Sequence, residues 1–238
     1  MEVVITEEEI KDALKLHRRL AKQLGFSEEY GENLDALYDE LVSIGEAVSI
    51  RIISDSRNFF NPMLQVLQDA ASENSNLKIE QTRFRKMRRW KQEVSKEECE
   101  TILREEPRGI LAVLGDNSYP YAMPVNFLYE DGKLYIHGAG TGHKADAIKR
   151  WNKVSFCLYN SGFQKEGEWA WNITSVVCFG RIHIVEDQDE AIEVSRRLAR
   201  KYYPDEASIE EEIKKAGSRV KAFVIEIEHM TGKLVNES

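Results

Sequence analysis

The sequence predicts two domains of different class. A small α/β unit with a parallel sheet spans residues 1–82, and a mainly antiparallel β barrel with peripheral helices spans 83–238. Three observations predict this. Charge is partitioned: residues 1–82 hold 16 acidic and 8 basic side chains, the whole of the net charge of −8, and the remainder is neutral. Strand and helix patterns alternate before residue 82, whereas strand patterns dominate after it. Between them lies the run 83–91, RFRKMRRWK, with six basic residues in nine at the point where composition changes. A basic run can bind nucleic acid, but the net negative charge argues against a general nucleic-acid binder, and this run reads as a linker.

Taken in order, Glu2–Thr6 reads as a short strand. Residues 8–24 form one amphipathic helix, with Ile10, Leu14, Leu16 and Leu20 near helical spacing. Asn33 is placed to cap a second helix, whose Leu34, Leu37, Leu41 and Ile44 recur at i, i+3, i+7 and i+10 as a buried stripe. Residues 48–53 (VSIRII) are rich in β-branched side chains and read as a strand. Asn61-Pro62 opens a third helix with proline at its favoured first position, and 77–79 is a last short strand. After the linker come a helix near 95–106 and strands at 109–114, 119–129, 133–137, 154–159, 169–185 and 220–229. Helices at 143–150 and 189–203 interrupt them. Asp131-Gly132 is a two-residue hairpin signal between the second and third of these strands.

Composition narrows the function. Cys99, Cys157 and Cys178 are odd in number, widely spaced and without C-x-x-C, which excludes a disulfide scaffold and structural zinc. The first residues, MEVVITEEEI, lack a basic stretch followed by an apolar one, and no apolar run approaches the roughly 18–20 residues of a membrane span. The expectation is a cytoplasmic protein with no membrane association.

Chemistry concentrates in 119–156. The loop HGAGTGHKADAI sets small residues, then His143 and Lys144, where a helix begins. Free backbone N–H groups, the helix dipole and a lysine together favour an anion there. Neither G-x-x-x-x-G-K-[ST] nor G-x-G-x-x-G is present, so the loop is not a P-loop or a dinucleotide fingerprint. By spacing alone, Asp35 and Asp39, at i and i+4 opposite the leucine stripe, read as a solvated helix face.

Two resemblances sharpen this. Leu16-His17, the octapeptide Tyr30-Gly31-Glu32-Asn33-Leu34-Asp35-Ala36-Leu37 and Asp39 resemble the barstar family of intracellular ribonuclease inhibitors, from the first strand to about Glu80. The resemblance implies a three-layer α/β fold and a possible partner in a small basic ribonuclease, met by Asp35, Tyr38, Asp39 and Asp69. From about residue 85 onward the motifs are Met87-Arg88-Arg89, Gly109-Ile110-Leu111-Ala112, Tyr119-Pro120-Tyr121, Pro124-Val125-Asn126-Phe127, Leu134-Tyr135-Ile136-His137, Gly142-His143-Lys144 and Ser175-Val176-Val177-Cys178-Phe179-Gly180-Arg181. Together they resemble the pyridoxamine 5′-phosphate oxidase-like split barrel, in its nitroimidazole-resistance (Nim-type) branch.

That resemblance implies FMN bound at a homodimer interface. Met123, Pro124, Val125, Asn126 and Phe127 would lie along the isoalloxazine. Gly138, Thr141, Gly142, His143 and Lys144 would hold the phosphate, and Trp171, Ser175 and Val176 would complete the pocket from the partner subunit. His137 would sit close to the flavin as a candidate catalytic residue; read from the strand alone, it is equally a half-buried histidine satisfied by backbone. The implied activity is an FMN-dependent oxidoreductase, nitroreductase-like or flavin reductase-like, with a nicotinamide electron donor allowed. The other reading is a protein-recognition module whose barrel serves dimerisation or redox sensing without turnover. No metal site is expected.

Overall fold

The computed structural model describes residues 1–54, 61–84, 87–203, 205–216 and 219–236. Part of the basic run 83–91 lies outside them. The chain folds as two compact units, Met1–Lys86 and Met87–Ser238.

In the first unit, strand β1 (Glu2–Thr6) leads into helices α1 (Glu7–Lys11) and α2 (Ala13–Leu24), then α3 (Leu34–Val42), β2 (Val48–Ser54), α4 (Pro62–Glu73) and β3 (Leu77–Arg83). The three strands form a parallel sheet with β2 central. Ile50 and Ile52 of that strand are fully buried, as expected where helices cover a parallel sheet. The single helix expected over 8–24 is two. Asp12 ends α1 and accepts a hydrogen bond from the Lys15 N–H at 3.4 Å, so it caps α2 instead of continuing the first helix. The break resets the register. Leu16, His17 and Leu20 become the buried face, and Leu14, expected in the stripe, is 49% exposed. Asn33 and Asn61 cap α3 and α4 by accepting from the N–H groups of Ala36 and Met63 at 2.9 Å each. Asn74 closes the other end of α3: its Nδ2 donates toward the carbonyls of Leu41, Val42 and Ile44 at 3.0, 3.2 and 2.9 Å.

The second unit contains β4 (Glu93–Val94), α5 (Lys96–Glu105), β5 (Arg108–Leu114), β6 (Pro120–Asn126), β7 (Leu128–Glu130), β8 (Lys133–Gly138), α6 (His143–Arg150) and β9 (Lys153–Tyr159). It continues through β10 (Phe163–Gln164), β11 (Trp171–Ile184), α7 (Gln188–Arg200), α8 (Glu206–Ala216) and β12 (Lys221–Asn236). A curled antiparallel sheet runs β6-β5-β9-β11-β12-β8-β7, with β10 paired to β11 and β4 to β12. Its core gathers Phe127, Phe156, Phe223 and the inward residues of every long strand.

The strand expected at 119–129 divides at Phe127, whose N–H donates to the Tyr202 hydroxyl at 2.8 Å, while that hydroxyl's single hydrogen faces the carbonyls of Pro107 at 2.5 Å and Phe127 at 2.8 Å. With its N–H taken by a side chain, Phe127 interrupts the ladder. Asp131 and Gly132 both adopt left-handed backbone and form the β7–β8 hairpin. Helix α8 was not expected. Between Tyr203 and Val220 the apolar signal is little more than Ile209 and Ile213, and burial of Ile209 to 2% comes from packing, not from a stripe.

Candidate functional site

Helix α6 begins at His143, after a short loop whose Gly142 has φ +94°. The next residue, Lys144, is half-buried. Its ammonium lies 4.9 Å from the centre of the Phe223 ring and over Gly138, where a Cβ would meet Nζ at 2.5 Å. Glycine at 138 lets the ammonium sit there without moving the lysine chain. Burial pulls the Lys144 pKa below the usual lysine value. Phe223 is the one contact found for its charge among the described residues.

Strand β8 alternates faces. Leu134 and Ile136 enter the core, while Tyr135 packs toward α7 and His137 lines a cavity of about 500 Å³. By the same alternation, Lys144 above Gly138 lies on the face opposite His137. The cavity is walled by His137, Gly138 and Ala139, by Ser195 and Ala199 of α7, and by Ile209, Glu212 and Ile213 of α8. Its size suits a small organic ligand. The surrounding protein first, and the Lys144 charge second, hold the His137 pKa below 6.5, although the side chain is exposed, not half-buried as expected.

The β5–β6 turn meets the start of α6. Tyr121 stacks flat on His143, centroids 4.2 Å apart and planes 6° from parallel. On the same face of β6, Met123 and Val125 are half-buried against the core, while Pro124 and Asn126 are exposed on the other. Phe127 is fully buried, its ring 4.8 Å from Phe156, and offers no surface to a ligand. Thus Gly138 and Lys144 are brought together, and His143 is brought against Tyr121 of β6, while Met123 and Val125 lie further along that strand. Trp171, Ser175 and Val176 belong to β11, which lies between β9 and β12 in the sheet. Trp171 is 40% exposed, its Nε1 donating to the Ser161 carbonyl at 3.0 Å, Ser175 is half-buried and Val176 is wholly within the core.

In the first unit, α3 presents Asp35 and Asp39 to solvent, and the adjoining α4 presents Asp69, whose Oδ1 accepts from Gln65 at 2.8 Å. Between the helices the Tyr38 hydroxyl donates to the Glu73 carboxylate. That bond, with the nearby Asp69 and Asp39 charges, raises the Tyr38 pKa. Glu73 was missed in the sequence, although its i+4 spacing from Asp69 sets both on one helix face. The residues of α7 and α8 in the cavity wall had no comparable signal.

The sequence pattern of the pyridoxamine 5′-phosphate oxidase family matches residues 95–234, and that of barstar (barnase inhibitor) matches residues 1–85. Among solved structures, the fold resembles a candidate 5-nitroimidazole antibiotic resistance protein from Bacteroides thetaiotaomicron. That match has 23% identity, covers 60% of this chain and 87% of the other, and has a TM-score of 0.54. The FAD and heme binding protein from Mycobacterium smegmatis is similar at 18% identity, 62% and 74% coverage and TM-score 0.50. The flavocytochrome Anf3 from Azotobacter vinelandii follows at 17%, 63% and 72%, also with TM-score 0.50. The curled antiparallel sheet and the match over more than half the chain lead to one assignment: the chain belongs to the pyridoxamine 5′-phosphate oxidase family, and it carries a barstar domain at residues 1–85.

Proposed function

We propose that the second unit binds FMN, with its phosphate at the start of α6, and serves an oxidoreductase reaction of nitroreductase-like or flavin reductase-like type. The carrying observation is Lys144, a half-buried ammonium with an aromatic face for company and no carboxylate beside it among the described residues. A phosphate dianion would restore the stabilisation that burial removes, through a charge-assisted hydrogen bond. The residues fit: glycine at 138 makes room for the ammonium, and the α6 N-terminus adds backbone donors.

Bound flavin would supply the electron-transfer chemistry, and the chain its position and surroundings. Lys144 and the loop N–H groups hold the phosphate. Met123 and Val125 provide an apolar wall. His137 lines the cavity on the other face of β8, beside α7 and α8. Among the cavity-lining residues one cation occurs, Arg219, which disfavours a substrate bearing its own phosphate. A homodimer is supported by the outer sheet face, where Ile110, Phe179 and Trp171 remain 37–40% exposed; Trp171 and Ser175 would reach the flavin from the second copy.

The visible spectrum of freshly purified protein tests this reading. A flavin band that bleaches with NAD(P)H and returns with an acceptor is expected, and a colourless protein that takes up no added FMN rejects it.

A second reading is favoured by the acidic face of Asp35, Asp39, Asp69 and Glu73, which suits a basic protein partner. Titration with a small basic ribonuclease should show salt-sensitive binding that Asp39→Ala weakens. No complex at low salt rejects it.

A further inference from the structure

His143 is held from three sides by groups that no ligand-binding role had assigned. Its ring lies flat on Tyr121. Its Nε2 accepts from the backbone N–H of Asp116 at 3.3 Å. Arg150, seven residues further along α6 and therefore on the same helix face, donates to Asp116 Oδ1 at 2.7 Å, while Oδ2 is 3.6 Å from Nε2. The packing is close enough that a Cβ on Gly115 would come within 2.9 Å of Tyr121 Cβ and 3.2 Å of His143 Nε2. The β5–β6 turn is thereby fastened to both ends of α6.

A backbone N–H donates and cannot accept, so the nitrogen facing it must present a lone pair. A neutral imidazole carries one hydrogen, and with Nε2 accepting, that hydrogen is on Nδ1. Free histidine in water favours the opposite tautomer. We infer that Tyr121 and the Asp116 N–H are positioning residues that fix His143 as its Nδ1–H tautomer, making the neutral ring an oriented hydrogen-bond donor to the phosphate bound at the start of α6. This rests on the FMN reading above. It adds that phosphate selection depends on a turn and a tyrosine that need not touch the ligand.

The experiment uses the full-length protein labelled with ¹⁵N. At about pH 8, where ordinary histidines are neutral, long-range ¹H–¹⁵N correlation spectra report which ring nitrogen is protonated, and His143→Gln assigns the signals. A protonated Nδ1 with a bare Nε2 is expected, and a protonated Nε2 overturns the inference. Asp116→Pro removes both the donating N–H and the carboxylate, and Asp116→Ala removes the carboxylate alone; the proline variant should release the tautomer bias and the alanine variant should keep it.

Flavin affinities, read by fluorescence quenching, test the phosphate role. Tyr121→Leu should weaken FMN about tenfold, roughly one hydrogen bond, and leave riboflavin unaffected, while Tyr121→Phe, which keeps the stack, should retain wild-type affinity. FMN affinity that survives Tyr121→Leu overturns the positioning role alone. A protein that binds neither flavin overturns the role together with the FMN reading, and the tautomer spectrum still shows whether the ring is held as described.

Discussion

Lys144 holds a full charge half out of water against one aromatic face, an arrangement whose cost an anion removes. Lys144→Ala should therefore weaken FMN by about tenfold to a hundredfold, since one charge-assisted hydrogen bond contributes ~1.5–3 kcal/mol. Flavin fluorescence titration measures it. The same charge acts through β8 on His137. Because the Lys144 ammonium is one of two causes that lower the His137 pKa, Lys144→Met should raise it, as followed by the ring-proton shifts in an NMR titration. An unchanged or lower value contradicts the placement. The sign for stability follows from the same depression. Below 6.5 the unfolded chain takes up a proton at this position more readily than the folded one, so stability from His137 is present above 6.5 and is lost as pH falls toward the lower folded value. Lys144 and His143 were legible in the sequence because a small-residue loop before a helix is a local pattern. Their partners Phe223, Asp116 and Tyr121 were not, since each comes from another strand or turn.

Elements are joined here by side chains that satisfy backbone groups. Asn74, buried at the end of α4, closes the C-terminus of α3, so Asn74→Ala leaves those carbonyls short of donors. A loss of ~1–3 kcal/mol is expected, measured by denaturant unfolding of the first unit's signal. It should also loosen the spacing between Asp35 and Asp39 on one helix and Asp69 and Glu73 on the other. Tyr202 does the same for the barrel, its hydroxyl accepting from the Phe127 N–H and facing the Pro107 and Phe127 carbonyls. Tyr202→Phe should expose the Phe127 amide to rapid hydrogen exchange and cost ~1–3 kcal/mol. Helix starts were readable because Asn33, Asn61 and Pro62 act within three residues of themselves. The break at Asp12, the interruption at Phe127 and the existence of α8 were not. The first is a competition between two caps on one segment, and the other two depend on contacts with residues far along the chain.

At the scale of the whole molecule, each unit closes its own core: Leu37, Leu41, Ile50 and Ile52 in one, Phe127, Phe156 and Phe223 in the other. Asn74→Ala should accordingly reduce exchange protection within residues 1–86 and leave the amides of β5, β9 and β11 as protected as before, a comparison read by hydrogen exchange with mass spectrometry. Protection lost equally in both units would contradict separate cores. By itself the sequence determined that there are two units, that one is α/β with a parallel sheet and acidic, that the other is an antiparallel barrel, and that a loop of small residues leads through His143 and Lys144 into a helix. All of these are written in residue order, periodicity and charge, which act over short stretches of chain. The tertiary structure decided the rest. It set Lys144 and His137 on opposite faces of β8, built a cavity from α7 and a helix α8 that the polar sequence after Tyr203 hardly announces, and laid Tyr121 against His143. Those outcomes depend on which strands become neighbours when the core closes, and burial of apolar surface across distant segments selects that arrangement.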